Sequence, residues 1–593
     1  MKLRTNLVAV LEAILFLLPI SATAWTAAGN RLATQFAKDV DPNQPLPDYP
    51  RPHLVRDRWS NLNGIWSCSI TELNATEPDR FPDQILVPFP IESSLSGLGQ
   101  SVGPDHLLWY RRTFNAPELK AGERLLLNFG AVNWEATVYV NGQLAGSHRG
   151  AYDAFSFDIS SLLKAGSEQT LLVRVYAPAS GPAPRGKQSL RPSQIFYTAS
   201  SGIWQTVWTE IVPKSHVTSL QIIPDISEEC AYLSAQGTGD NDQSISAEVF
   251  DDQRTIVARQ SGSGRDKLRI SIPHAKLWSP DHPNLYGFRL TYGKDSVDSY
   301  FGMRSIALAQ DGNGVNRIFL NGKVCFMFGL LDQGYWPDGL YTAPSDRATR
   351  YDIEMTKAWG FNTIRKHMKV EPSRWYYWAD KLGILVWQDF PAVTDVLVPE
   401  NSEDVKRSPA VAGEIEGEMQ AMVQNLASHP CVIGWVPFNE GWGQFDTVRI
   451  ANLFKAWDPT RLVDDASGWN DRGVGDVFDQ HSYPHPARPL QEKNRASFQG
   501  EYGGGGLLVK DHDWNSSSSY QYAYFETSQD LLLFFTEQAN IIRLFKQSGL
   551  AGAIYTQTTD VENEINGLMT YDRIPKIDPS NLKQVVIKTI SDP

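Results

Sequence analysis

Cysteine is scarce in this sequence, and long apolar runs are missing after the first twenty residues. The four cysteines, Cys68, Cys230, Cys325 and Cys431, lie far apart in 593 residues and form no C-x-x-C pair. This spacing argues against a zinc site and against a disulfide-dense scaffold. No later apolar run is long enough to span a bilayer. The sequence therefore predicts neither a metal cofactor nor a membrane partner.

Positive charge is also in deficit. Lys and Arg number 54 against 67 Asp and Glu, which gives a net charge of -13. Phosphate contacts need clustered Lys and Arg, so a nucleic-acid partner is disfavoured. Aromatic residues are plentiful instead, with 18 Trp and 22 Tyr. Their flat faces suit sugar rings, although bulky core packing explains them equally well. A chain of this length exceeds one core and predicts several domains.

The N-terminus has the pattern of an export signal. Lys2 and Arg4 precede the apolar run 7–20, and Ala22-Thr23-Ala24 is a small-x-small cleavage site. We expect residues 1–24 to be a signal peptide and the mature protein to be secreted. Two sequons, at Asn74 and Asn515, are candidate glycosylation sites in such a protein.

Short segments in which apolar and polar residues alternate dominate the first half of the chain. After a Pro- and Asp-rich leader loop (25–51), residues 52–213 alternate apolar with polar side chains and contain the hairpin signal Asn141-Gly142. We predict a jelly-roll sandwich for this domain. Residues 214–305 continue with shorter alternating segments, which predict an immunoglobulin-like β-sandwich.

The pattern changes at residue 306, where short apolar strands begin to alternate with amphipathic helices. Predicted strands cover 324–331, 361–366, 384–389, 431–438, 462–466, 477–482, 496–501 and 551–557. Predicted helices cover 345–359, with Ser345 as N-cap, and 371–382, 413–428, 446–456 and 530–547. Eight strands alternating with helices predict a C-terminal (β/α)₈ barrel over residues 306–586.

One predicted strand ends in an acid. The stretch CVIGWVPFNEG, residues 431–441, is apolar until it reaches Asn439 and Glu440. An ionised carboxylate is costly to bury unless it is paired or hydrogen-bonded. In a barrel of this kind the active site lies at the C-terminal ends of the strands. Glu440, after the fourth strand, is therefore a candidate catalytic acid.

A second carboxylate follows the seventh predicted strand. In ASFQGEYGGGG, Glu501 precedes glycines that leave room for a sugar. Hydrolysis with retention uses one acid/base and one nucleophile about 5–5.5 Å apart. Glu440 should then be protonated, with Trp435, Trp442 and the Glu501 charge as candidate causes. Glu501 should stay ionised, with Arg365, Tyr483 and Asn439 as candidate donors.

Seven stretches make the chain resemble glycoside hydrolase family 2, which contains β-galactosidases, β-glucuronidases and β-mannosidases. LWYRRTF and SSGIWQTVW lie in the first domain, and FGMRSI leads into the barrel. The barrel carries GFNTIRKHMKVEPSRWYYWADKLGILVWQDFP, WVPFNEGWG, GEYGGGG and TQTTDVENEINGLMTYDR. The resemblance spans residues 52–585 and implies the same three domains, a carbohydrate substrate and no cofactor.

The resemblance also implies roles for individual residues. Glu440 is implied as the acid/base, Glu501 as the nucleophile and Asn439 as the donor to the sugar 2-hydroxyl. Arg365 and His367 match the family's pocket-floor pair, and Tyr483 matches its tyrosine beside the nucleophile. Each of the remaining substrate-binding candidates could equally be a structural residue that forms hydrogen bonds at the barrel rim or packs on the barrel. These candidates are His481, Trp387, Gln388, Asp389, Asp332, Asp560, Trp336 and Trp442.

Two departures from the family patterns bear on the sugar. β-Glucuronidases carry an Asn-x-Lys element that grips the sugar carboxylate, whereas this chain has Glu564 and Asn566 there. A uronic-acid pocket is therefore disfavoured. The acidic and Glu-x-His-Gly stretches of the large lactose-splitting enzymes are replaced by FYTASSGIW and WQDFPAVTD, so magnesium is not predicted.

The leading interpretation is a secreted retaining exo-glycosidase, β-galactosidase-like. A β-mannosidase, or an arabinosidase or galactofuranosidase of the same family, is the alternative activity. A catalytically inactive carbohydrate-binding protein is a further alternative. A purely structural sandwich protein does not explain two acids at the barrel mouth.

Overall fold

The computed structural model describes residues 25–29, 32–239, 243–515 and 517–591. The predicted signal peptide, residues 1–24, lies outside this range and stays a prediction. Within the described residues, no helix combines the length and the apolar character that crossing a bilayer requires. All four cysteines are free, and three of them are buried.

The first domain is a sandwich of antiparallel strands. One main sheet has the order β1-β14-β5-β9 and the other β3-β2-β4-β10-β7-β8. Its strands are β1 (Trp59–Asn61), β2 (Gly64–Glu72), β3 (Asp83–Val87), β4 (His106–Asn115), β5 (Glu123–Phe129), β6 (Val132–Asn133), β7 (Glu135–Val140), β8 (Gln143–Arg149), β9 (Phe155–Asp158), β10 (Glu168–Tyr176), β11 (Gln188–Ser189), β12 (Tyr197–Thr198), β13 (Gly202–Ile203) and β14 (Val207–Pro213). Short 3₁₀ helices cover Ala37–Asp39, Ser94–Ser96 and Ser160–Leu162. The predicted hairpin is present, because β7 and β8 pair across Asn141 and Gly142, both with positive φ.

The second domain is a smaller sandwich of two sheets, ordered β15-β16-β19 and β18-β17-β20-β21. Its strands are β15 (Val217–Asp225), β16 (Cys230–Gly237), β17 (Ser244–Phe250), β18 (Ile256–Ser263), β19 (Leu268–Ser271), β20 (Tyr286–Tyr292) and β21 (Asp295–Phe301). Alternate apolar residues of these strands form one buried cluster. The predicted domain limit at 213/214 falls between β14 and β15, and the limit at 305/306 falls between β21 and β22.

The third domain is the predicted barrel. A small antiparallel sheet of β22 (Ile306–Gln310), β23 (Asn316–Leu320) and β24 (Lys323–Val324) leads into it. The eight parallel barrel strands are β25 (Met327–Asp332), β26 (Thr363–Lys366), β27 (Leu385–Asp389), β28 (Val432–Val436), β29 (Leu462–Val463), β30 (Val477–Ser482), β31 (Ala496–Gly503) and β34 (Leu550–Thr556). Their order, β29-β28-β27-β26-β25-β34-β31-β30, leaves the barrel nearly closed, with β29 and β30 at its two edges.

The helices surround this barrel, and two short strands lie at its rim. The helices are α1 (Asp346–Ala358), α2 (Ser373–Leu382), α3 (Pro409–Leu426), α4 (Thr447–Trp457), α5 (Ser528–Gln547) and α6 (Pro579–Ser591), and the rim strands are β32 (Gly505–Leu507) and β33 (Ala523–Phe525). As predicted, Ser345 caps α1, because its side chain accepts a hydrogen bond from the Ala348 amide. Helix α6 was not predicted.

A segment of the first sandwich reaches the mouth of the barrel. The amides of Arg185 and Gly186 donate to the Ala392 carbonyl at 3.2 and 3.0 Å, and the Thr394 hydroxyl donates to the Gly186 carbonyl. Gly186 has φ +60°, and a Cβ there would lie 2.3 Å from the Met368 carbonyl oxygen. Only a glycine permits this approach, which holds the first domain against the loop that follows His367.

A separate cavity of about 360 Å³ lies where the three domains meet. Trp204 of the first domain, Thr218 of the second and Trp336 of the barrel all contribute to its wall. Neither Glu440 nor Glu501 lines it. This cavity is therefore distinct from the site that the two acids define.

Candidate active site

The two predicted acids come together at the barrel mouth. Glu501 lies within β31, and Glu440 lies in the loop that follows β28. A carboxylate oxygen of each acid and a ring nitrogen of His481 all lie within 4.8 Å of one another. Inverting glycosidases keep their carboxyl groups about 6.5–9.5 Å apart to admit a water, whereas retaining ones bring them to about 5–5.5 Å. The spacing matches the retaining geometry.

A left-handed turn presents Glu440 to the pocket. Strand β28 ends at Val436, earlier than predicted, and Glu440 has φ +51°, followed by Gly441 at +74°. The Glu440 amide donates to the Ser467 carbonyl at 2.9 Å, so the next strand's loop fixes this turn. A non-glycine residue with positive φ is uncommon, and such strained positions cluster at functional sites.

We expect the variant Gly441→Ala to impair this turn. A Cβ at Gly441 would lie 2.4 Å from the Val398 carbonyl oxygen, and φ +74° is unfavourable for alanine. The loop must then shift Glu440, and kcat/KM should fall by about 10-fold or more. The matched control is Gly417→Ala, on the exposed side of α3, where nothing lies within 4 Å. That variant should keep full activity and gain about 0.5–1 kcal/mol of stability. Equal activity of the two variants would contradict the role of the turn.

Hydrogen-bond donors and cations surround the buried Glu501 carboxylate. The Tyr483 hydroxyl donates to its Oε2 at 2.6 Å and Arg365 Nη1 donates to its Oε1 at 3.3 Å. Burial would raise the pKa of Glu501, but His481, His367 and Arg365 lower it to about 2. Two of the three predicted donors are therefore in place, and the carboxylate is ionised at neutral pH as predicted.

Glu440 has one neighbour that was not predicted to contact it. Its Oε1 lies 2.8 Å from His481 Nδ1, while the Glu501 carboxylate lies nearby, as predicted. Burial would lower the pKa of His481, but the charges of Glu501 and Glu440 raise it. The ring's Nε2 lies 2.7 Å from the hydroxyl of Ser467, which itself donates to Asp479. A charged His481 can thus donate from both ring nitrogens.

Asn439 keeps one donor free. Its Oδ1 accepts a hydrogen bond from Arg365 Nη2 at 2.8 Å, which orients the amide. Its Nδ2 is buried and has no hydrogen-bond partner among the residues that the structure describes. A buried donor without a partner is costly in a folded protein unless a ligand or water completes it. Asn439 is therefore available to donate to a bound sugar hydroxyl.

The remaining pocket-floor residues orient these groups. Asp389, at the end of β27, accepts from Arg365 and from His367 Nδ1, the latter at 2.8 Å. Burial lowers the pKa of His367, and the hydrogen bond to Asp389 and the Glu501 charge oppose this shift. The Tyr483 ring stacks on Tyr522, with centroids 3.7 Å apart. Burial and the Glu501 charge raise the pKa of Tyr483 well above its usual value, which keeps the phenol a hydrogen-bond donor.

Two predicted substrate-binding residues are engaged elsewhere. Trp387 packs inside the barrel, with its indole N–H against the Met327 sulfur and its ring 5.2 Å from Phe498. Asp332 is buried and pairs with Lys366 at 2.7 Å. For both, these contacts agree with the alternative of a structural residue, and the substrate-binding role stays a prediction.

Three weaker candidates also have structural partners. Gln388 accepts from Tyr376 and donates to backbone carbonyls, Asp560 pairs with Lys576, and the Trp336 ring lies under the Arg573 guanidinium. Trp442, by contrast, is partly exposed beside Glu440 and meets the Phe196 ring edge-on at 5.3 Å. It stays a candidate for stacking on a sugar ring.

The two predicted glycosylation sites, Asn74 and Asn515, differ in exposure. Asn74 is exposed in the turn after β2, as a glycan acceptor must be. The Asn515 side chain is partly buried and accepts hydrogen bonds from Ser517. Both sites stay predictions.

Sequence reasoning missed one contribution to the site, which comes from the first domain. Lys187 follows Gly186 in the segment at the barrel mouth, and Tyr197 of the same domain donates to the Glu564 carboxylate. Nothing in the local sequence around Lys187 marks it as functional. Its position beside Gly186 and the paired strands β11 and β12 becomes informative only in three dimensions.

Comparisons with known proteins agree with this architecture. Residues 59–207 match the sugar binding domain of glycosyl hydrolases family 2, residues 215–304 match the glycosyl hydrolases family 2 model, and residues 317–590 match its TIM barrel domain. A β-galactosidase of Thermoanaerobacter pseudethanolicus is 24% identical over 58% of this chain and 46% of its own length. A β-glucuronidase of Bacteroides fragilis is 26% identical over 59% and 53%. The chain thus spans about half the length of these relatives.

Solved structures show the same fold. A β-glucuronidase from an uncultured Clostridium sp. superimposes with a TM-score of 0.73 at 17% identity, covering 90% of this chain and 99% of that one. A β-D-glucuronidase from Dictyoglomus thermophilum gives 0.72 at 18% identity, covering 92% and 99%. Three consecutive matches to the domains of one family, in family order, leave no other assignment: the chain belongs to glycoside hydrolase family 2.

Proposed function

We propose that this protein is a retaining exo-glycosidase that acts by double displacement. The observation that carries the proposal is the separation of the Glu440 and Glu501 carboxylates, which lie within 4.8 Å of each other and of His481. A gap of this size favours direct attack by one carboxylate on the anomeric carbon over attack by an interposed water.

In the first step, the ionised Glu501 attacks the anomeric carbon as the bond to the leaving oxygen breaks. Glu440 donates a proton to that oxygen, and a glycosyl ester forms on Glu501. His481, in hydrogen-bond contact with Glu440 at 2.8 Å, holds the carboxyl group in position. The free Asn439 amide donates to the sugar 2-hydroxyl, a contact that strengthens in the transition state.

In the second step, water replaces the aglycone. Glu440 removes a proton from this water, which attacks the anomeric carbon and breaks the ester to Glu501. The Tyr483 hydroxyl, 2.6 Å from Glu501 Oε2, stabilises the departing carboxylate. Two inversions restore the original anomeric configuration.

A neutral sugar fits the pocket better than an acidic one. Glu564 is buried, accepts from Asn566 Nδ2 at 2.9 Å, and has its pKa raised by burial and by the Glu501 charge, although Lys187 opposes both. A third carboxyl group near Glu440 and Glu501 disfavours a uronate. We therefore propose a β-galactosidase-like preference, with β-mannosidase, arabinosidase or galactofuranosidase activity as the alternatives.

β-Glucuronidase activity is a second candidate, because relatives and solved neighbours of this chain carry that name. The two candidates make opposite demands on the pocket, since a glucuronide brings a negative charge that a galactoside lacks. A direct comparison of substrates separates them.

The test is a panel of 2-deoxy-2-fluoro glycosides with good leaving groups, covering galactosyl, mannosyl, arabinosyl and glucuronyl forms. We expect a neutral member to inactivate the protein with one covalent label, and peptide mapping should place that label on Glu501. A label elsewhere, or no label together with inverted product from an active protein, would overturn double displacement. Fastest labelling by the glucuronyl probe would establish the second candidate.

A further inference from the structure

Lys187 is a largely buried lysine of the first domain. The residue is 6% exposed, and its ammonium makes no hydrogen bond or ion pair with the described residues. Its Nζ lies over the Phe196 ring, 5.8 Å from the ring centroid. Lysine is almost never buried unless it is paired, so a missing partner points to a ligand.

The backbone fixes where this ammonium can lie. The Lys187 carbonyl accepts a hydrogen bond from the Tyr197 amide, and the adjacent Gly186 is pressed against Met368. Tyr197 in turn donates through its phenol to Glu564, and Phe196 packs against Trp442 beside Glu440. These contacts hold the Lys187 backbone beside residues that contact Glu564 and Trp442.

The charge of Lys187 acts on the pocket directly. Burial raises the pKa of Glu564, and the Lys187 ammonium is the strongest opposing influence. The same ammonium also contributes to lowering the pKa of Glu501. Among the described residues, Lys187 forms no ion pair with Glu564 or Glu501, so its charge acts on both carboxyl groups from beyond contact distance.

We propose that Lys187 and Glu564 together bind one edge of the terminal sugar: the ammonium donates to a sugar hydroxyl, and the carboxyl group accepts from the neighbouring one. This inference rests on the proposed function and names its substrate class, a neutral sugar with two adjacent free hydroxyls away from the reacting carbon. Lys187 is then a specificity-determining residue supplied by the first domain.

The pairing of opposite charges selects hydroxyls over a carboxylate. A hydroxyl is both donor and acceptor, so two adjacent hydroxyls can satisfy an ammonium and a carboxyl group at once. A sugar carboxylate could accept from Lys187 but would meet Glu564 and Glu501 as like charges. A site built to bind sugar hydroxyls should strongly reject an analogue that lacks one.

The experiment compares Lys187→Met with wild type on the preferred glycoside and on its monodeoxy analogues at each non-reacting position. We expect the variant to lose about 10- to 100-fold in kcat/KM on the parent glycoside, the size of a hydrogen bond to a charged group. On one deoxy analogue, variant and wild type should be equal, because the bond is already absent. Lys164→Met, at an exposed lysine of the same sandwich, is the matched control and should stay within about two-fold.

Two further measurements keep the inference testable if Lys187→Met folds poorly. Glu564→Gln should show the same pattern on the analogue that lacks the adjacent hydroxyl. A crystal structure of Glu501→Gln with the parent glycoside should place Nζ within hydrogen-bond distance of a sugar hydroxyl. An equal loss on every analogue, an unchanged Lys187→Met, or a preference for glucuronides that Lys187→Met abolishes would overturn the inference. A wild type inactive on every glycoside would overturn the proposed function itself.

Discussion

Replacing Glu501 with glutamine should lower kcat by about 10⁴-fold or more while the protein stays folded. The amide is isosteric but cannot form the glycosyl ester, so the first step has no nucleophile. Tyr483 and Arg365 donate to different oxygens of Glu501, so one of the two can still donate to the amide oxygen of glutamine, which retains part of the local hydrogen bonding. Activity on an activated aryl glycoside is the measurement. Adding azide to Glu501→Gly should restore turnover and yield a glycosyl azide of inverted configuration.

The same carboxylate should stay reactive in acid. With its pKa lowered to about 2, Glu501 remains ionised when an ordinary glutamic acid, at about 4.3, is largely protonated. We expect the rate of labelling by a fluoro glycoside to fall less than about two-fold between pH 7 and about pH 3. A fall of about 10-fold or more over that range, in protein that remains folded, would contradict the electrostatic account of the pocket.

Replacing Glu440 with alanine should have an effect that depends on the leaving group. Dinitrophenolate leaves without a proton, so formation of the glycosyl ester should be nearly unaffected. For alkyl glycosides, which need the proton, we expect a loss of about 10²- to 10⁴-fold. Azide should rescue this variant with retained configuration, because it attacks the ester rather than the substrate. Burst kinetics with the two substrate classes provide the measurement.

The control for both acid variants is Glu537→Gln, an exposed glutamate on α5. It should leave kcat and KM unchanged. If Glu440→Ala slowed both substrate classes equally, Glu440 would be a structural residue and the proton donor would have to be sought elsewhere. His481, 2.8 Å away, would then be the first candidate.

Local chemistry made most of the barrel predictable. The strand predicted at 477–482 coincides with β30, and the helix predicted to begin after Ser345 does so, because serine capping acts within one turn. The fourth strand was extended to 438, whereas β28 ends at Val436, since apolar residues continue into the loop. Helix α6 was missed although Pro579 in its first turn and its apolar spacing are a usable signal.

The acids could be predicted because parallel strand ends converge whatever their distance in sequence. The sequence could not predict which side chains of a strand point into the barrel mouth. Trp387 is an example, because its side chain packs in the barrel interior. The His481 contact to Glu440 and the placement of Lys187 depend on which loops meet. Tertiary packing determines which loops come into contact, and the periodicity of the sequence does not predict these contacts.

The amides of Arg185 and Gly186 donate hydrogen bonds to the Ala392 carbonyl and so hold the first domain at the barrel mouth. This arrangement has a consequence for how a new sugar specificity can arise. Under the proposed function, both reacting acids and Glu564 lie on the barrel, whereas Lys187 lies on the sandwich. Mutations in the sandwich could then change sugar recognition while the reacting acids stay in place. Recognition could change in this way without any change in the residues that break the glycosidic bond.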